Sequence, residues 1–166
     1  MIREWAAADL CALGEVINDA AQAYRGIIPQ DRWREPYMPM EELKSEIAAG
    51  VRFWVFESGG ALLGVMGIQD KGEVELIRHA YVKTAKRKQG IGGELLRHIE
   101  KLAGKPILLG TWIDAAWAVA FYEKNGYRRQ PRQETESLLR KYWSIPERQI
   151  ETSVVLANAA WNSGRG

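Results

Sequence analysis

Apolar residues recur along the chain with two different periods, and the alternation of these periods predicts the order of helices and strands. Helical spacing, with apolar positions three or four residues apart, covers residues 10–24, 41–49, 91–102 and 115–124. Strand-forming runs cover residues 2–5, 51–56, 61–69, 73–82, 106–110, 127–130 and 150–156. The order is strand, two helices, three strands, helix, strand, helix and two strands, which indicates a mixed sheet with helices on both faces.

Residues that favour caps and turns mark several boundaries between these elements. Asp9 precedes the first helix as a candidate N-cap, and Gly50 follows the second as a candidate C-cap. Residues 58–60, Ser-Gly-Gly, predict a tight hairpin turn between two strands. Residues 135–143 predict one more helix, inserted between the last two strands and capped by Thr135.

The chain is long enough for one domain with a hydrophobic core. It has 166 residues and a mass of 18.8 kDa, with 46% apolar and 27% charged residues. This balance is typical of globular proteins rather than disordered ones. We therefore predict a single domain over residues 1–157, followed by a flexible C-terminal tail over residues 158–166. The apolar face of residues 138–143 suggests that the chain forms a homodimer.

Charge and cysteine content argue against several classes of protein. A net charge of +2 and a pI of about 8.7 argue against a dedicated nucleic-acid-binding protein, so no nucleic-acid partner is expected. The longest apolar stretch, residues 61–68, is too short to span a membrane, and no signal-peptide pattern is visible. We therefore expect no membrane association and a cytoplasmic location. Two histidines and one cysteine are too few for a zinc site, so we expect no metal.

The segment that points to chemistry joins the strand at 73–82 to the helix at 91–102. Gly90, Gly92 and Gly93 allow a tight turn and leave backbone N–H groups accessible, and a helix N-terminus attracts anions. Four basic residues lie beside them, at positions 83, 86, 87 and 88. This arrangement suits a pyrophosphate group. The alternatives are that the glycines form only a turn and that the basic residues form only a solvated surface.

Two motifs in this part of the chain resemble those of a known family. Residues 87–92, Arg-Lys-Gln-Gly-Ile-Gly, match the Arg/Gln-x-x-Gly-x-Gly/Ala signature of the GNAT superfamily of acyl-CoA N-acyltransferases. Residues 121–127, Phe-Tyr-Glu-Lys-Asn-Gly-Tyr, resemble its second recurrent motif, and the order of elements is similar over residues 2–156. The resemblance implies an α/β fold with a mixed, mostly antiparallel sheet of about seven strands, and a V-shaped splay between the fourth and fifth strands. It also implies acetyl-CoA as the co-substrate.

Carried over by position, the resemblance implies which residues hold acetyl-CoA. Backbone amides of residues 87–92, with Gly93, would hold the pyrophosphate, and the strand ending at Val82 would run beside the pantetheine arm. Asp114 stands where the family often has an asparagine near the pantetheine, so the chain departs from the pattern there. The implied donor-binding residues are Tyr81, Val82, Arg87, Lys88, Gln89, Gly90, Ile91, Gly92, Gly93 and Asp114.

Acetyl transfer to an amine needs an acid for the leaving thiolate and a base for the amine. Tyr122 stands where the family commonly keeps a tyrosine near the leaving thiolate, and the alternative is that it only packs beside Phe121. Glu75 and His79 are candidates for the base, because they lie four residues apart and share one face if the strand is regular. A bulge in this strand, which the resemblance implies, would change the face that His79 occupies. The alternative is that both residues are only polar groups of the sheet and that water is the base. Cys11 lies on the apolar face of the first helix and is expected to be a buried structural thiol.

Two aromatic-rich segments, residues 24–40 and 133–149, lie where the family bounds its acceptor cleft. Tyr24, Trp33 and Tyr37 of the first segment are candidates for an apolar or cation-binding pocket, and the alternatives are lid packing or a subunit interface. The predicted reaction is direct transfer of an acetyl group from acetyl-CoA to a primary amine of a small molecule in a ternary complex. Transfer to a protein or peptide amine and a non-catalytic CoA-binding sensor are the alternatives.

Overall fold

The computed structural model describes residues 1–163 and contains the predicted alternation of helices and strands. The strands are β1 (Ile2–Glu4), β2 (Arg52–Ser58), β3 (Ala61–Asp70), β4 (Glu75–Val82), β5 (Ile107–Trp112), β6 (Arg128–Arg129) and β7 (Ser153–Ala157). The α-helices are α1 (Leu10–Ala21), α2 (Met40–Ala48), α3 (Ile91–Leu102), α4 (Ala116–Lys124), α5 (Arg132–Tyr142), α6 (Glu147–Glu151) and α7 (Ala159–Ser163).

The strands form one mixed sheet in the order β1-β2-β3-β4-β5-β7-β6. Neighbouring strands run antiparallel except β4 and β5, which run parallel. β4 pairs with β5 only from Glu75 opposite Ile107 to Ile77 opposite Leu109. Beyond this point β4 continues along β3 and β5 continues along β7, so the two strands splay apart. The predicted mixed sheet, with its V-shaped splay between the fourth and fifth strands, is confirmed.

Three apolar clusters attach the helices to the two faces of the sheet. On one face, α3 and α4 contribute Leu95, Ile99 and neighbouring residues to a cluster with the central strands. On the opposite face, α1 and α2 cover β2 and β3 through Leu13 and Leu43, and α5 packs on β5 and β7 through Leu139. These apolar positions recur with the helical period from which the elements were predicted.

The first helix differs from its prediction at its cap and at its cysteine. Asp9 precedes α1, but its carboxylate accepts the Ala6 N–H at 2.7 Å and an Arg3 N–H at 2.8 Å instead of capping the helix. The prediction that Cys11 is buried is wrong, because its thiol is exposed. The buried stripe of α1 includes Leu13 and Val16, and Cys11 lies outside it.

Two elements near the C-terminus differ from their predicted bounds. Thr135 lies inside α5 rather than at its start, and its hydroxyl donates to the Gln130 carbonyl at 3.1 Å. Residues 150–152, predicted as the start of the last strand, belong to α6 and the turn after it. Pro146 precedes this short helix, and the Ile150 N–H donates to its carbonyl at 3.1 Å. A helical hydrogen bond therefore overrides the strand propensity of this segment.

The C-terminal segment and the predicted dimer surface are both occupied by contacts within the chain. Trp161 of α7, in the segment predicted as a flexible tail, is buried beside residues of α5, and residues 164–166 lie outside the described residues. Leu138, Leu139 and Tyr142 are buried in the same cluster. The face of residues 138–143 is therefore not free to form the predicted homodimer, and dimerisation stays a prediction without an assigned surface.

Within residues 1–163, no helix is long and apolar enough to cross a membrane. The same residues contain no group of three or more histidines, cysteines or carboxylates placed to hold a metal ion.

Candidate functional site

The splay between β4 and β5 opens the sheet, and two cavities meet at this opening. The larger cavity, about 700 Å³, lies between the end of β4, the start of α3 and α4. The smaller cavity, about 160 Å³, lies between β4 and β5 where they separate. The two cavities share four wall residues: Tyr24, Ala80, Tyr81 and Tyr122. A molecule in one cavity therefore lies next to a molecule in the other.

The start of α3 forms one wall of the larger cavity. Gly90 has a φ of 82°, in the left-handed region that favours glycine, and the Glu94 N–H donates to its carbonyl at 3.0 Å. The N–H groups of residues 91–93 precede this bond and have no intrahelical acceptor, as at any helix start. A Cβ on Gly92 would lie 3.5 Å from Phe121 Cζ, between two walls of the cavity. Glycine at this position therefore keeps the backbone accessible.

The loop before α3 brings positive charge to the same cavity. The Thr84 N–H donates to Asp19 at 2.7 Å, which ties the loop to α1. Lys88 has a φ of 64°, which is uncommon for a residue other than glycine. The basic side chains that line the cavity are Lys86, Arg87, Lys88, Arg97 and Lys124. With the helix N-terminus, they make this cavity suited to a polyanion such as pyrophosphate.

A β-bulge in β4 changes the direction of its side chains next to the opening. Val65 pairs with Tyr81 and Gly67 pairs with Arg78, so one residue of β3 lies opposite two residues of β4. His79 is one of these two and has a φ of 56°. A Cβ on Gly67 would lie 2.7 Å from the Arg78 carbonyl oxygen. The bulge therefore depends on the absence of a side chain at residue 67.

The bulge also separates the two residues predicted as candidate bases. His79 lines the smaller cavity, and its ring centroid lies 6.1 Å from that of Phe53, on the face covered by α1 and α2. Glu75 lies at the other end of β4, lines neither cavity, and shares the α3 face with Ile77. The structure therefore shows the second of the two predicted alternatives: the extra residue in the bulge breaks the alternation of the strand and places Glu75 and His79 on different faces.

Four tyrosines surround the place where the cavities meet. The rings of Tyr24 and Tyr37 lie 6.3 Å and 6.2 Å from that of Tyr81, and Tyr122 reaches both cavities from α4. Burial raises the pKa of Tyr24 to about 12, and it also raises the pKa of the other three phenols. Each phenol therefore keeps its proton at neutral pH. Tyr122 lines both cavities, so its protonated phenol can contact a molecule bound in either one.

Two segments of the chain meet beside the smaller cavity. One is the 3₁₀ turn Gln30–Arg32 between α1 and α2, and the other is α6. Arg32 donates to Gln149 Oε1 at 3.4 Å, and an Arg148 nitrogen lies 3.5 Å from Asp31 Oδ2. Gln149 is itself a wall residue of the cavity. The two segments predicted to bound the acceptor cleft therefore contact each other here.

The structure brings most of the predicted site residues to these cavities. Those that line the smaller cavity are Tyr24, Tyr37, His79, Tyr81 and Tyr122. Those that line the larger one are Tyr24, Tyr81, Val82, Arg87, Lys88, Gly90, Ile91, Gly92, Gly93 and Tyr122. Four predicted residues line neither cavity: Trp33, Glu75, Gln89 and Asp114. Asp114 is exposed, and Trp33 Nε1 donates instead to Glu35 at 3.1 Å.

Several wall residues were not predicted from the sequence. In the larger cavity, Trp117 lies one helical turn before Phe121, and this spacing is the signal that places both on one face of α4. The smaller cavity includes Arg78, Trp112 and Ser153, which come from β4, β5 and β7. No local pattern indicates these three, because the splay between distant strands brings them together.

A comparison with protein families matches residues 49–129 to the family model of the acetyltransferase (GNAT) domain. The matched segment contains the bulge of β4, the start of α3 and Tyr122 of α4. No curated protein sequence matches the chain.

Solved structures with a similar fold cover nearly the whole chain. The PaiA N-acetyltransferase from Thermoplasma acidophilum, in complex with coenzyme A, is 21% identical with a TM-score of 0.73, over 95% of this chain and 97% of that one. A GNAT-family acetyltransferase from Staphylococcus aureus is 19% identical with a TM-score of 0.70, over 95% of this chain and 97% of that one. A ribosomal-protein-alanine N-acetyltransferase from Brucella melitensis is 18% identical with a TM-score of 0.62, over 95% of this chain and 97% of that one. These likenesses show a shared fold.

Proposed function

Because the chain carries a GNAT acetyltransferase domain within a sheet of GNAT fold, we propose that it transfers an acetyl group from acetyl-CoA to a primary amine of a small molecule. The larger cavity, hereafter the donor cavity, binds acetyl-CoA, and the smaller one, the acceptor cavity, binds the amine. The observation that carries this proposal is their meeting at Tyr24, Ala80, Tyr81 and Tyr122. Two substrates placed there react directly, without a covalent enzyme intermediate.

The donor cavity fits acetyl-CoA in charge and in shape. The N–H groups at the start of α3 and the side chains of Lys86, Arg87 and Lys88 suit the pyrophosphate. Tyr81 and Val82 form the last part of β4, where the splay leaves a strand edge free of β5 for an extended pantetheine arm. When bound, acetyl-CoA supplies an acetyl group activated as a thioester.

The reaction forms a C–N bond, breaks a C–S bond and removes two protons from the ammonium form of the amine. His79 accepts the first proton, since it is the imidazole that lines the acceptor cavity, and later releases it to solvent. Tyr122 donates its phenol proton to the departing sulfur and regains the second proton from nitrogen. The products are the thiol form of CoA, the amide and one proton released to solvent.

The dimensions of the acceptor cavity favour a small amine. Its volume of about 160 Å³ is close to that of an engineered cavity of about 150 Å³ that binds benzene. Its aromatic walls attract a cationic amine through their π faces. The contact between Arg32 and Gln149 joins the two segments beside this cavity. A polypeptide acceptor needs an open groove, so this contact favours a small amine.

Calorimetric titration with acetyl-CoA, followed by an assay of CoA thiol release, tests this function. The assay compares small alkyl and aryl amines with a short peptide that has a free N-terminal alanine. We expect acetyl-CoA to bind, and the best small amine to exceed the peptide in kcat/KM by about tenfold, equivalent to about 1.4 kcal/mol. Turnover of the peptide alone would indicate a protein acceptor, and binding without any turnover would indicate a sensor. No binding of acetyl-CoA or CoA would contradict the proposal.

A further inference from the structure

A polar network connects α2 to the bulge of β4 beside the acceptor cavity. Gln69 Nε2 donates to the Ala49 carbonyl at 3.0 Å, and Arg78 Nη1 donates to Gln69 Oε1 at 2.9 Å. Arg78 Nη2 donates to Glu46 Oε1 at 3.3 Å. The Glu46 side chain is only 18% exposed. These bonds hold one oxygen of the Glu46 carboxylate in a fixed position.

The second oxygen of the same carboxylate faces His79. Its Oε2 lies 3.6 Å from His79 Nε2, which is buried and has no hydrogen bond within the described residues. A carboxylate only accepts hydrogen bonds, so the ring nitrogen that faces it is most stable as N–H. The lone pair of a neutral His79 ring then lies on Nδ1. His79 is a wall residue of the acceptor cavity.

We propose that Glu46 is a positioning residue, which holds His79 as the Nε2–H tautomer so that Nδ1 accepts the amine proton. This inference rests on the proposed function, in which His79 is the base. A carboxylate behind an imidazole fixes the orientation of the ring and stabilises the positive charge that the ring gains. Glu46 acts through His79 and does not itself touch the substrate.

The backbone of β4 supports this arrangement. A φ of 56° is costly for a residue with a Cβ, and such conformations persist where the surrounding structure holds them. Without the bulge, regular alternation from Ile77 would direct His79 toward α3. With it, the ring lies on the side of α2, within reach of Glu46.

The charges around the pair keep Glu46 ionised. Burial raises the pKa of the Glu46 carboxyl, but the contact with His79 and the charges of Arg78 and Lys71 outweigh it, so the net pKa is lowered. The phenols of Tyr37 and Tyr81 also line the acceptor cavity and stay neutral. Glu46 is therefore the negative group that faces the ring.

Nuclear magnetic resonance of the imidazole nitrogens tests the proposal without substrate, because the chain has only two histidines. We expect His79 to be the Nε2–H tautomer, and Glu46→Gln to raise the fraction of the Nδ1–H tautomer, since an amide can donate to Nε2 whereas a carboxylate only accepts. His98 packs on Trp54 from α3, with ring centroids 4.7 Å apart, and is an internal reference whose nitrogen signals Glu46→Gln should leave unchanged. An Nδ1–H tautomer in the original chain, or an unchanged tautomer fraction in Glu46→Gln, would overturn the proposal.

A double-mutant cycle provides the kinetic test. We expect Glu46→Gln to lower kcat roughly tenfold or more, as for other groups that orient a functional histidine. In a His79→Ala background the same substitution should change kcat by less than about twofold, because the two residues act as one unit. Glu46→Asp should recover part of the rate.

Glu41→Gln is the matched control, since Glu41 lies on the same helix with its side chain 89% exposed. It should change neither kcat nor the imidazole signals. An equal loss from Glu46→Gln in both backgrounds would show a structural role and overturn the inference. If His79→Ala keeps full activity, the assignment of the base fails instead, while the tautomer of His79 still decides whether Glu46 orients the ring.

Discussion

At the scale of the residue, burial decides what each tyrosine at the opening can do. The phenol of Tyr122 lines both cavities, is 6% exposed, and has its pKa raised by burial and by neighbouring Tyr24. Its proton is therefore present across the whole range in which an enzyme assay is practical. A group of this kind serves as an acid for a departing thiolate without being consumed by ionisation.

Tyr122→Phe should lower kcat by about a hundredfold, the lower end of what general acid catalysis contributes. Because the phenol stays protonated, the ratio between the original and variant rates should be constant from about pH 7 to about pH 9.5. Rate measurements across this range check both statements. Tyr142→Phe is the control, since Tyr142 Oη donates to Glu73 outside both cavities. A ratio that falls toward one at high pH would contradict the neutral phenol.

Single residues were predictable where their role depends on local sequence. Tyr122 and the glycines at 90, 92 and 93 lie in contiguous motifs, and the structure places all of them at the cavities. The face occupied by His79 could be predicted only as two alternatives, a regular strand or a bulge, because it depends on the pairing of Gly67 with Arg78 on another strand. Glu46 was missed for the same reason: it is a single carboxylate on an amphipathic helix until the bulge brings His79 to it.

At the scale of the element, two features of backbone geometry build the site. One is the bulge in β4, which requires space at Gly67, and the other is the start of α3, which requires accessible N–H groups at residues 91–93. The bulge depends on the absence of a Cβ at Gly67, and the accessible N–H groups depend on its absence at Gly92. Substitution of each glycine by a residue with a Cβ tests these statements.

Gly67→Ala should destabilise the protein by about 2 kcal/mol, because the new Cβ lies 2.7 Å from the Arg78 carbonyl oxygen and 2.8 Å from Val51 Cγ1. For a domain of this size that corresponds to a fall in Tm of about 4–8 °C. It should also lower kcat, since relief of the clash moves His79. Thermal unfolding measures the first effect. Gly104→Ala is the control, because no atom lies within 4 Å of a Cβ there; equal Tm values for both variants would refute the clash.

Gly92→Val should weaken acetyl-CoA binding by about tenfold or more, or about 1.4 kcal/mol. Its side chain would extend from a Cβ that lies 3.5 Å from Phe121 Cζ, into the space beside the N–H groups. Contacts of that length are ordinary, so the fold should tolerate the substitution. Calorimetry gives the affinity and thermal unfolding gives the stability. Undiminished affinity in a folded variant would show that the pyrophosphate binds elsewhere.

Elements were predictable where one period persists over several turns or alternations. The central strands and α1 to α4 follow from this signal, whereas α6 did not, because Pro146 begins a helical turn within a run of strand-forming residues. The contact of α6 with the Gln30–Arg32 turn joins residues more than a hundred positions apart. Periodicity carries no information about contacts of this range.

At the scale of the whole molecule, the splay of the sheet forms two adjoining cavities, one proposed for acetyl-CoA and one for the amine. Helices on one face complete the donor cavity, and segments from the other face close the acceptor cavity. The fold class and the order of elements could be predicted, because they follow from periodicity and from the resemblance to the GNAT superfamily. The identity of the acceptor could not, because its cavity is assembled from residues of β4, β5, β7 and the loops.

Saturating acetyl-CoA should raise the thermal stability of the whole domain. At about 100 times the dissociation constant, binding adds about 2.7 kcal/mol to the free energy of unfolding. The expected rise in Tm is about 5–11 °C for a domain of this size. A melting scan with and without ligand measures it, and Gly92→Val at the same ligand concentration is the control. An unchanged Tm at saturation would mean that acetyl-CoA does not bind the folded chain.

The anion site at the start of α3 is made of peptide N–H groups, which every residue except proline supplies. These N–H groups and the basic side chains beside them line the donor cavity and no part of the acceptor cavity. The acceptor cavity has different walls, among them Tyr37, Trp143 and Gln149. Selectivity is thus an adjustable property: a library at these three positions should change which amine is acetylated while donor affinity stays constant. The same scaffold can be retuned for new acceptors without being redesigned for its donor.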